Sequence, residues 1–472
     1  MTCQLAVCSI LFCALLLPGS LAADGPYFAN GIKIGDVTQT SAKIWTRLTA
    51  IQPWTKAPET GIPMGKNLGK SKVDGNTVAE AIKLWRVPGQ EGEVRLTYQR
   101  IGQSQSTKSD WTSVDPMADY THQFKVNRLA SGARYKFKVE GRAENGRVTS
   151  SISGSFSTAP ADDDADAKVS FAVVTGQGFH RRDTDQGHQI YPHLSKLGLQ
   201  FFAHTGDTVY YDKPAPDARN MDLARVKWQR MYALPNQREF HRNVASYFIK
   251  DDHDTLDNDC YPGQRYGDLT WKQGLRIFSE QNPTSDPPYK TVRWGKHLQV
   301  WIVEGRNFRS PNPMPDGPEK TIWGKKQLAW FKETVRASDA TFKILISPTP
   351  VVGPDRGNKK DNHANTAFTY EGNLLRKFMA DQKMLSVCGD RHWQYVSVDP
   401  KTGLREYSCG PTSNGHAGGF SERNRSDMHQ YLKVKGGFLS VTIEPNNGRP
   451  RAIFRHHSVK GEVYNEDVQK PL

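Results

Sequence analysis

The sequence is poor in cysteine. Of six cysteines in 472 residues, three fall within the first 13 positions, so only Cys260, Cys388 and Cys409 stand in the body of the chain. An odd number of widely spaced thiols excludes a disulfide framework, even in an oxidising compartment. One Cys388–Cys409 bridge is conceivable, and a buried free thiol is the simpler reading for each. Beyond the first residues the chain also lacks the run of about 20 apolar residues that a membrane-spanning helix needs. It has no Lys/Arg block or basic-aromatic patch that would mark a nucleic-acid module, and no repeat of fixed period.

Charge is missing altogether from residues 1–23, MTCQLAVCSILFCALLLPGSLAA, where an apolar run from Leu5 to Leu17 breaks at Pro18-Gly19 before small residues. This pattern predicts a secretory signal peptide cleaved after Ala22 or Ala23, and hence a secreted or periplasmic protein with no membrane span after cleavage. Because that leader is uncharged, the remainder keeps the whole formal net charge of +14. A basic surface favours anionic partners, among them phosphorylated small molecules and anionic polymers, or simply keeps the protein soluble.

Hydrophobic residues at 37% and charged residues at 24% give a globular balance. A chain of this length exceeds what one core usually supports, which predicts two domains. From residue 24 to 160 the apolar residues alternate in twos, as in Ala42–Thr46, Val94–Tyr98 and Tyr135–Glu140. This predicts half-buried antiparallel strands, a small all-β sandwich of fibronectin or immunoglobulin type without helices, with a long Gly- and Pro-rich loop over 54–77. The acidic stretch TAPADDDAD (158–166) reads as an exposed linker, placed at 161–168. From 169 to 472, short apolar runs (169–174, 199–204, 245–249, 298–303, 342–347, 385–388) are interleaved with helical patterns near 219–232, 325–336 and 371–379. That alternation predicts an α/β layered domain whose strands are covered on both faces.

Three of these strands end in acidic loops: FFAHTGDTVYYD (201–212), YFIKDDHDTLDNDC (247–260) and LSVCGDRHWQYVS (385–397). Taken singly, Gly206-Asp207 reads as a turn or helix cap, the 251–254 run as a solvated loop, and Gly389-Asp390-x-His392 as a turn with a satisfied histidine. Taken together, three carboxylate-bearing loops beyond the carboxyl ends of apolar strands point to a cation, because converging carboxylates repel unless a metal relieves them. Asp, Tyr and His are hard-to-borderline donors suited to Fe, Mn, Mg, Ca or Zn.

With these motifs in hand, the sequence resembles the alkaline phosphatase D family, a branch of the calcineurin-like metallophosphoesterases. The likeness spans the N-terminal segment GIKIGDVTQTSAKIWTRL (31–48) and then GDTVY, DDHDTLDND and GDRHWQ in the family's order. It implies an α+β layered metallophosphoesterase sandwich that hydrolyses phosphomonoesters or phosphodiesters with two metal ions, Fe(III) with Ca²⁺ or another divalent ion (Mn, Mg, Zn). By the same resemblance Asp207 bridges the ions, Tyr210 and His392 bind the first, and Asp252 and Asp390 bind the second. His253 protonates the leaving alkoxide or stabilises the phosphoryl oxygens. Arg306 and Arg309 in EGRNFRSP (304–311) match an arginine segment of the family; they bind phosphate or pair with local carboxylates.

The chain departs from the family at Thr175-Gly176-Gln177, where the usual triplet is Ser-Cys-Gln and the cysteine is a ligand. Gly176 offers no donor, and His180 and Cys260 are candidate substitutes. Tyr370-Glu371-Gly372 likewise stands in for a Trp-Asp-Gly segment. The rival expectation is a secreted non-catalytic or single-metal relative that binds an anionic polymer or ester, against which the five surviving ligand positions argue.

Overall fold

The structure is a computed structural model and describes residues 25–58 and 75–471. The signal peptide expected over 1–23 and most of the loop expected over 54–77 lie outside the described residues.

Two large sheets pack face to face. The first has nine strands in the order Val463–Gln469, Arg451–Ser458, Gly437–Glu444, Val169–Val174, Phe201–His204, Ala245–Phe248, Ile32–Gly35, Ala42–Arg47, Thr121–Val126. The second has seven: Lys290–Trp294, Leu298–Ile302, Phe342–Ser347, Met384–Cys388, Arg405–Cys409, Gln394–Val398, His429–Lys433. Alternation decides which residues meet between them. Phe171, Val173, Phe201, Ala203 and Tyr247 from the first sheet join Val300, Ile302, Ile344, Ile346 and Val387 from the second in one core. Their neighbours Ala172, Val174 and Phe202 turn outward beneath helices Ile190–Leu194 and Pro235–His241. Helices Gly324–Ala337 and Thr369–Asp381 cover the far face of the second sheet through Phe331, Val335, Leu375 and Met379. Burial on both faces is why these strands read as continuous apolar runs.

A smaller five-stranded antiparallel sheet is built from Glu93–Arg100, Ser106–Lys108, Thr112–Ser113, Arg134–Arg142 and Val148–Ser157. Tyr135, Phe137 and Val139 face the core, while Arg134, Lys136 and Lys138 face solvent. The other N-terminal strands pair elsewhere: Ile32–Gly35 runs parallel to Ala245–Phe248, with Gly35 opposite Ser246, and extends the first large sheet. Arg47 anchors this segment. Its guanidinium, 1% exposed, forms a 2.8 Å ion pair with Asp119, and Asp119 also accepts from Gln229 and Gln281 on two helices of the following region.

One expectation fails in the first 160 residues. A helix, Gly75–Trp85, lies where none is expected. Val78, Ala81, Ile82 and Trp85 share one helical face and pack with Leu223, Trp228 and Met231 of helix Met221–Tyr232. The Arg230 guanidinium stacks on the Trp85 ring at 4.1 Å. A single short amphipathic face after a Gly-rich stretch is a weak signal until its partner helix is known.

Phe201 shows how closely the inter-sheet core is fitted. It is fully buried, stacks on Phe171 at 4.5 Å and meets Trp294 at 4.8 Å and Tyr247 at 5.4 Å. Phe201→Ala is expected to cost about 3–5 kcal/mol of unfolding free energy, read from the midpoint shift in urea denaturation. A loss below ~1 kcal/mol would show that the two sheets are not held together there.

Candidate metal centre

The parallel strands of both sheets deliver their carboxyl ends to the same edge. Hydrogen bonds between loops stitch that edge: Gln177 N donates to Asp207 O (2.6 Å), Gly389 N to Ser347 O (3.0 Å), and Asp390 N to Thr175 Oγ1 (3.1 Å). Two of the acidic loops turn through left-handed backbone, with Asp207 at φ 56° and Asp390 at φ 58°. Gly206, at φ 99°, must also be glycine for space, because a Cβ there would lie 2.5 Å from Asp251 Cβ and 2.7 Å from its nitrogen. The Gly-Asp pair therefore lets one carboxylate loop pass against the next.

Asp207 is at the centre. Tyr210 Oη donates to Asp207 Oδ2 (2.8 Å) and lies 3.3 Å from His392 Nε2, while His392 Nε2 is 3.6 Å from Asp207 Oδ2. Ligand atoms of Asp207, Asp252 and His253 also lie within 4.8 Å of one another, and the His253 ring packs on Tyr210 at 4.4 Å. Asp207 Oδ1 is buried and has no hydrogen-bond partner. A buried carboxylate oxygen without a donor, ringed by phenol, imidazole and carboxylate, fits a hard or borderline cation. Burial, and then the Asp207 charge, push the Tyr210 phenol well above its usual range. The phenol is therefore neutral and would ionise only in exchange for a cation.

The 251–254 run is not a solvated loop. All four residues are buried, and each carboxylate has its own setting. Burial would raise Asp252, but Arg306, His253 and the Asp259 N–H hold it well below the usual carboxylate range. Burial and the neighbouring Asp207 push Asp254 far above that range, and its oxygens accept from Asp251 N and Thr208 N. For Asp251, burial outweighs the Arg306 charge and raises it. Burial alone would lower His253; Asp252, Asp212 and Asp207 override it and raise the imidazole to about 9. Asp212 Oδ1 sits 2.7 Å from His253 Nδ1, which fixes the ring and leaves Nε2 free of that partner.

Other expected residues stand farther back. Arg306 has no exposed surface; its Nε donates to Asp251 Oδ1 (2.5 Å) and Nη2 is 3.8 Å from Asp252. Of the two roles open to it in the sequence, the structure shows the pairing with carboxylates. Arg309 is also buried, donating to Asn312 and to the Asp361 carbonyl. The Asp390 carboxylate lies against the neighbouring Arg391 guanidinium and is not in the compact group. The Cys260 thiol donates to the Asp252 carbonyl (3.4 Å), and burial raises it well above the thiol range. His180 Nε2 accepts from Arg181. Among the described residues Cys260, Cys388 and Cys409 are all free, and Cys409 Sγ meets the Cys388 carbonyl rather than its sulfur.

The description PhoD-like phosphatase matches residues 171–439, more than half of the chain. This chain belongs to the PhoD-like phosphatase family. Among solved structures, it is similar to PhoD, with 15% identity, a TM-score of 0.70, and coverage of 94% of this chain and 89% of that one. It is also similar to the purple acid phosphatase PPD1 from yellow lupin (Lupinus luteus) seeds, with 10% identity, a TM-score of 0.61, and coverage of 93% and 73%. No curated protein sequence is significantly similar to it.

A PhoD-like phosphatase is a phosphoester hydrolase. Two groups at the centre escaped sequence reasoning. Asp212 ends the GDTVYYD loop, but nothing in its spacing marks it as the partner of His253. His416, in SNGHAGG (413–419), stands alone in a Gly-rich loop; its ring lies 4.3 Å from that of His392 and 5.2 Å from that of Tyr210.

Two outcomes follow for the PhoD-like phosphatase stripped of metal by chelation. Arg306→Met leaves Asp251 and Asp252 buried without their countercharge and should cost about 3–5 kcal/mol in urea denaturation. Adding Asp251→Asn should restore part of it, and no restoration would mean that packing, not charge, holds Arg306. Second, Asp212→Asn should bring the His253 titration, followed by NMR, down from about 9 toward its ordinary value of about 6.5. The sign for stability follows from the raised value: the contribution is complete below the unfolded pKa and is lost as pH rises through about 9. An unmoved titration would remove Asp212 as its cause.

Proposed function

We propose that the protein is a secreted hydrolase of phosphomonoesters or phosphodiesters that works with two metal ions. The observation that carries this reading is the position of Asp207, within reach of Tyr210 and His392 and also of Asp252 and His253. One carboxylate shared between two donor sets is what a bridging ligand requires. The leader composition supports secretion, and no helix among the described residues is long and apolar enough to cross a membrane.

Asp207, Tyr210 and His392 would hold the first ion, and Asp207 with Asp252 the second, joined by Asp390 on release from Arg391. Phenolate and carboxylate donors favour a trivalent or hard ion at the first position, consistent with Fe(III) there and Ca²⁺, Mn, Mg or Zn at the second. When bound, the ions supply positive charge to the phosphoryl oxygens and to an attacking water.

The chain's own residues do the rest. Arg306 and the Asp259 N–H keep Asp252 ionised and aimed at the site. His253, held at Nδ1 by Asp212, would pass the proton on Nε2 to the departing alkoxide oxygen. The alternative role for His253, a ligand of the second ion, is favoured by its place in the compact group.

Elemental analysis of the purified protein, with assays on aryl phosphomonoesters and diesters with and without added metals, tests this. The wild type should bind two metal equivalents and turn over; Asp207→Asn should lose metal and all turnover. A wild type without metal, or activity surviving in Asp207→Asn, overturns the reading. His253→Asn should keep both metals and lose about 10²–10⁴-fold in kcat; loss of an equivalent would make His253 a ligand instead.

A further inference from the structure

Gly176 is the one position of the ligand set with no side chain to offer, and the structure shows where one would go. A Cβ built on Gly176 would lie 3.1 Å from His392 Nε2 and 3.3 Å from Pro411 Cβ. The backbone there is left-handed, at φ 57°, a conformation that glycine adopts freely and a side chain resists. The vacant donor position is thus beside His392, on the first-ion side of Asp207.

His416 is tied to that same residue. Its Nδ1 is 2.9 Å from the Gly176 carbonyl, which also accepts from Thr412 N (3.2 Å) and Thr412 Oγ1 (3.1 Å). A carbonyl oxygen only accepts, so Nδ1 must carry the proton, and the neutral ring therefore has its lone pair on Nε2. A ring N–H donated to a backbone carbonyl is also how metal-ligating histidines are oriented. The ring is buried and stands against two residues that would hold the first ion, His392 and Tyr210. The other candidates are committed elsewhere: the Cys260 thiol to the Asp252 carbonyl, and His180 Nε2 to Arg181.

We propose that His416 binds the first metal ion through Nε2, an imidazole taking the place left by the absent side chain at Gly176. The proposal rests on the two-metal reading above. It makes the first-ion set one of phenolate, carboxylate and two imidazoles, with no sulfur. Loss of the side chain at 176 and the anchoring of His416 on the 176 carbonyl are then one arrangement: the backbone that gives up a donor positions its replacement.

The test is metal binding by the full chain. His416→Asn keeps a side-chain N–H able to reach the Gly176 carbonyl but removes the Nε2 donor, and His416→Gly leaves room for free imidazole. Wild type, both variants, and Cys260→Ser are dialysed against Fe(III) and a divalent ion, and their metal is counted. The expected result is two equivalents for wild type and Cys260→Ser, and at least ~10–100-fold weaker retention of one ion in His416→Asn. The visible phenolate-to-Fe(III) absorption should shift in that variant, and added imidazole should restore both metal and absorption in His416→Gly. Melting of the chelated proteins separates ligand loss from misfolding. If both His416 variants hold two equivalents with unchanged affinity and absorption, this inference fails while the two-metal reading stands. If the wild type holds no metal, both fall.

Discussion

The structure turns on the burial of carboxylate charge at one edge of two packed sheets. Asp207, Asp251, Asp252 and Asp254 are all nearly inaccessible, within loops only a few residues long. Such a group is tolerable only if each charge is neutralised, paired or coordinated. The protein uses every option. Asp254 is driven toward the neutral acid, Asp251 and Asp252 lean on Arg306, and His253 carries a balancing proton. Asp207 Oδ1 has no donor, and neither has Asp251 Oδ2 on the acid that burial raises. The hydrophobic sandwich below provides the low-dielectric floor that makes these distinctions large.

Around that edge, polar partners act mostly on other polar groups. Arg306 braces Asp251, Lys250 pairs with Glu304 at 2.6 Å, and Glu304 in turn receives Arg306 N and Asn307 N. Arg391 is gripped by Asp355 while touching Asp390. These arginines and lysines form the wall behind the site. The buried carboxylates of the 251–254 run are therefore held in fixed orientations by the groups behind them.

Much of this was legible in the sequence because burial on both faces writes itself as unbroken apolar runs. Val169–Val174 and Phe342–Ser347 end where the pattern says, and Asp207, Tyr210, Asp252, His253 and His392 gather as their motifs imply. What stayed hidden depends on partners distant in the chain. Helix Gly75–Trp85 is specified by a face that meets residues 223–231. The pairing of Ile32–Gly35 with Ala245–Phe248 joins segments about 210 positions apart, with nothing local to announce it. Arg306 looks identical in sequence whether it meets a phosphate or Asp251. His416 lies in a Gly-rich loop with no spacing to any other ligand, so only the fold brings it to His392.

The order of strands in the nine-stranded sheet has a consequence for how the chain is made. Its neighbours come from residues 32–47, 121–126, 169–248 and 437–469, with the strand at 437–444 seated directly beside the one at 169–174. The sheet that carries Asp207 and Asp252 is thus flanked on one side by early residues and on the other by the last. Loop closure over such separations is slow and gains nothing until the far strand arrives. Assembly of the reactive edge is therefore a late event, completed after synthesis of the whole polypeptide.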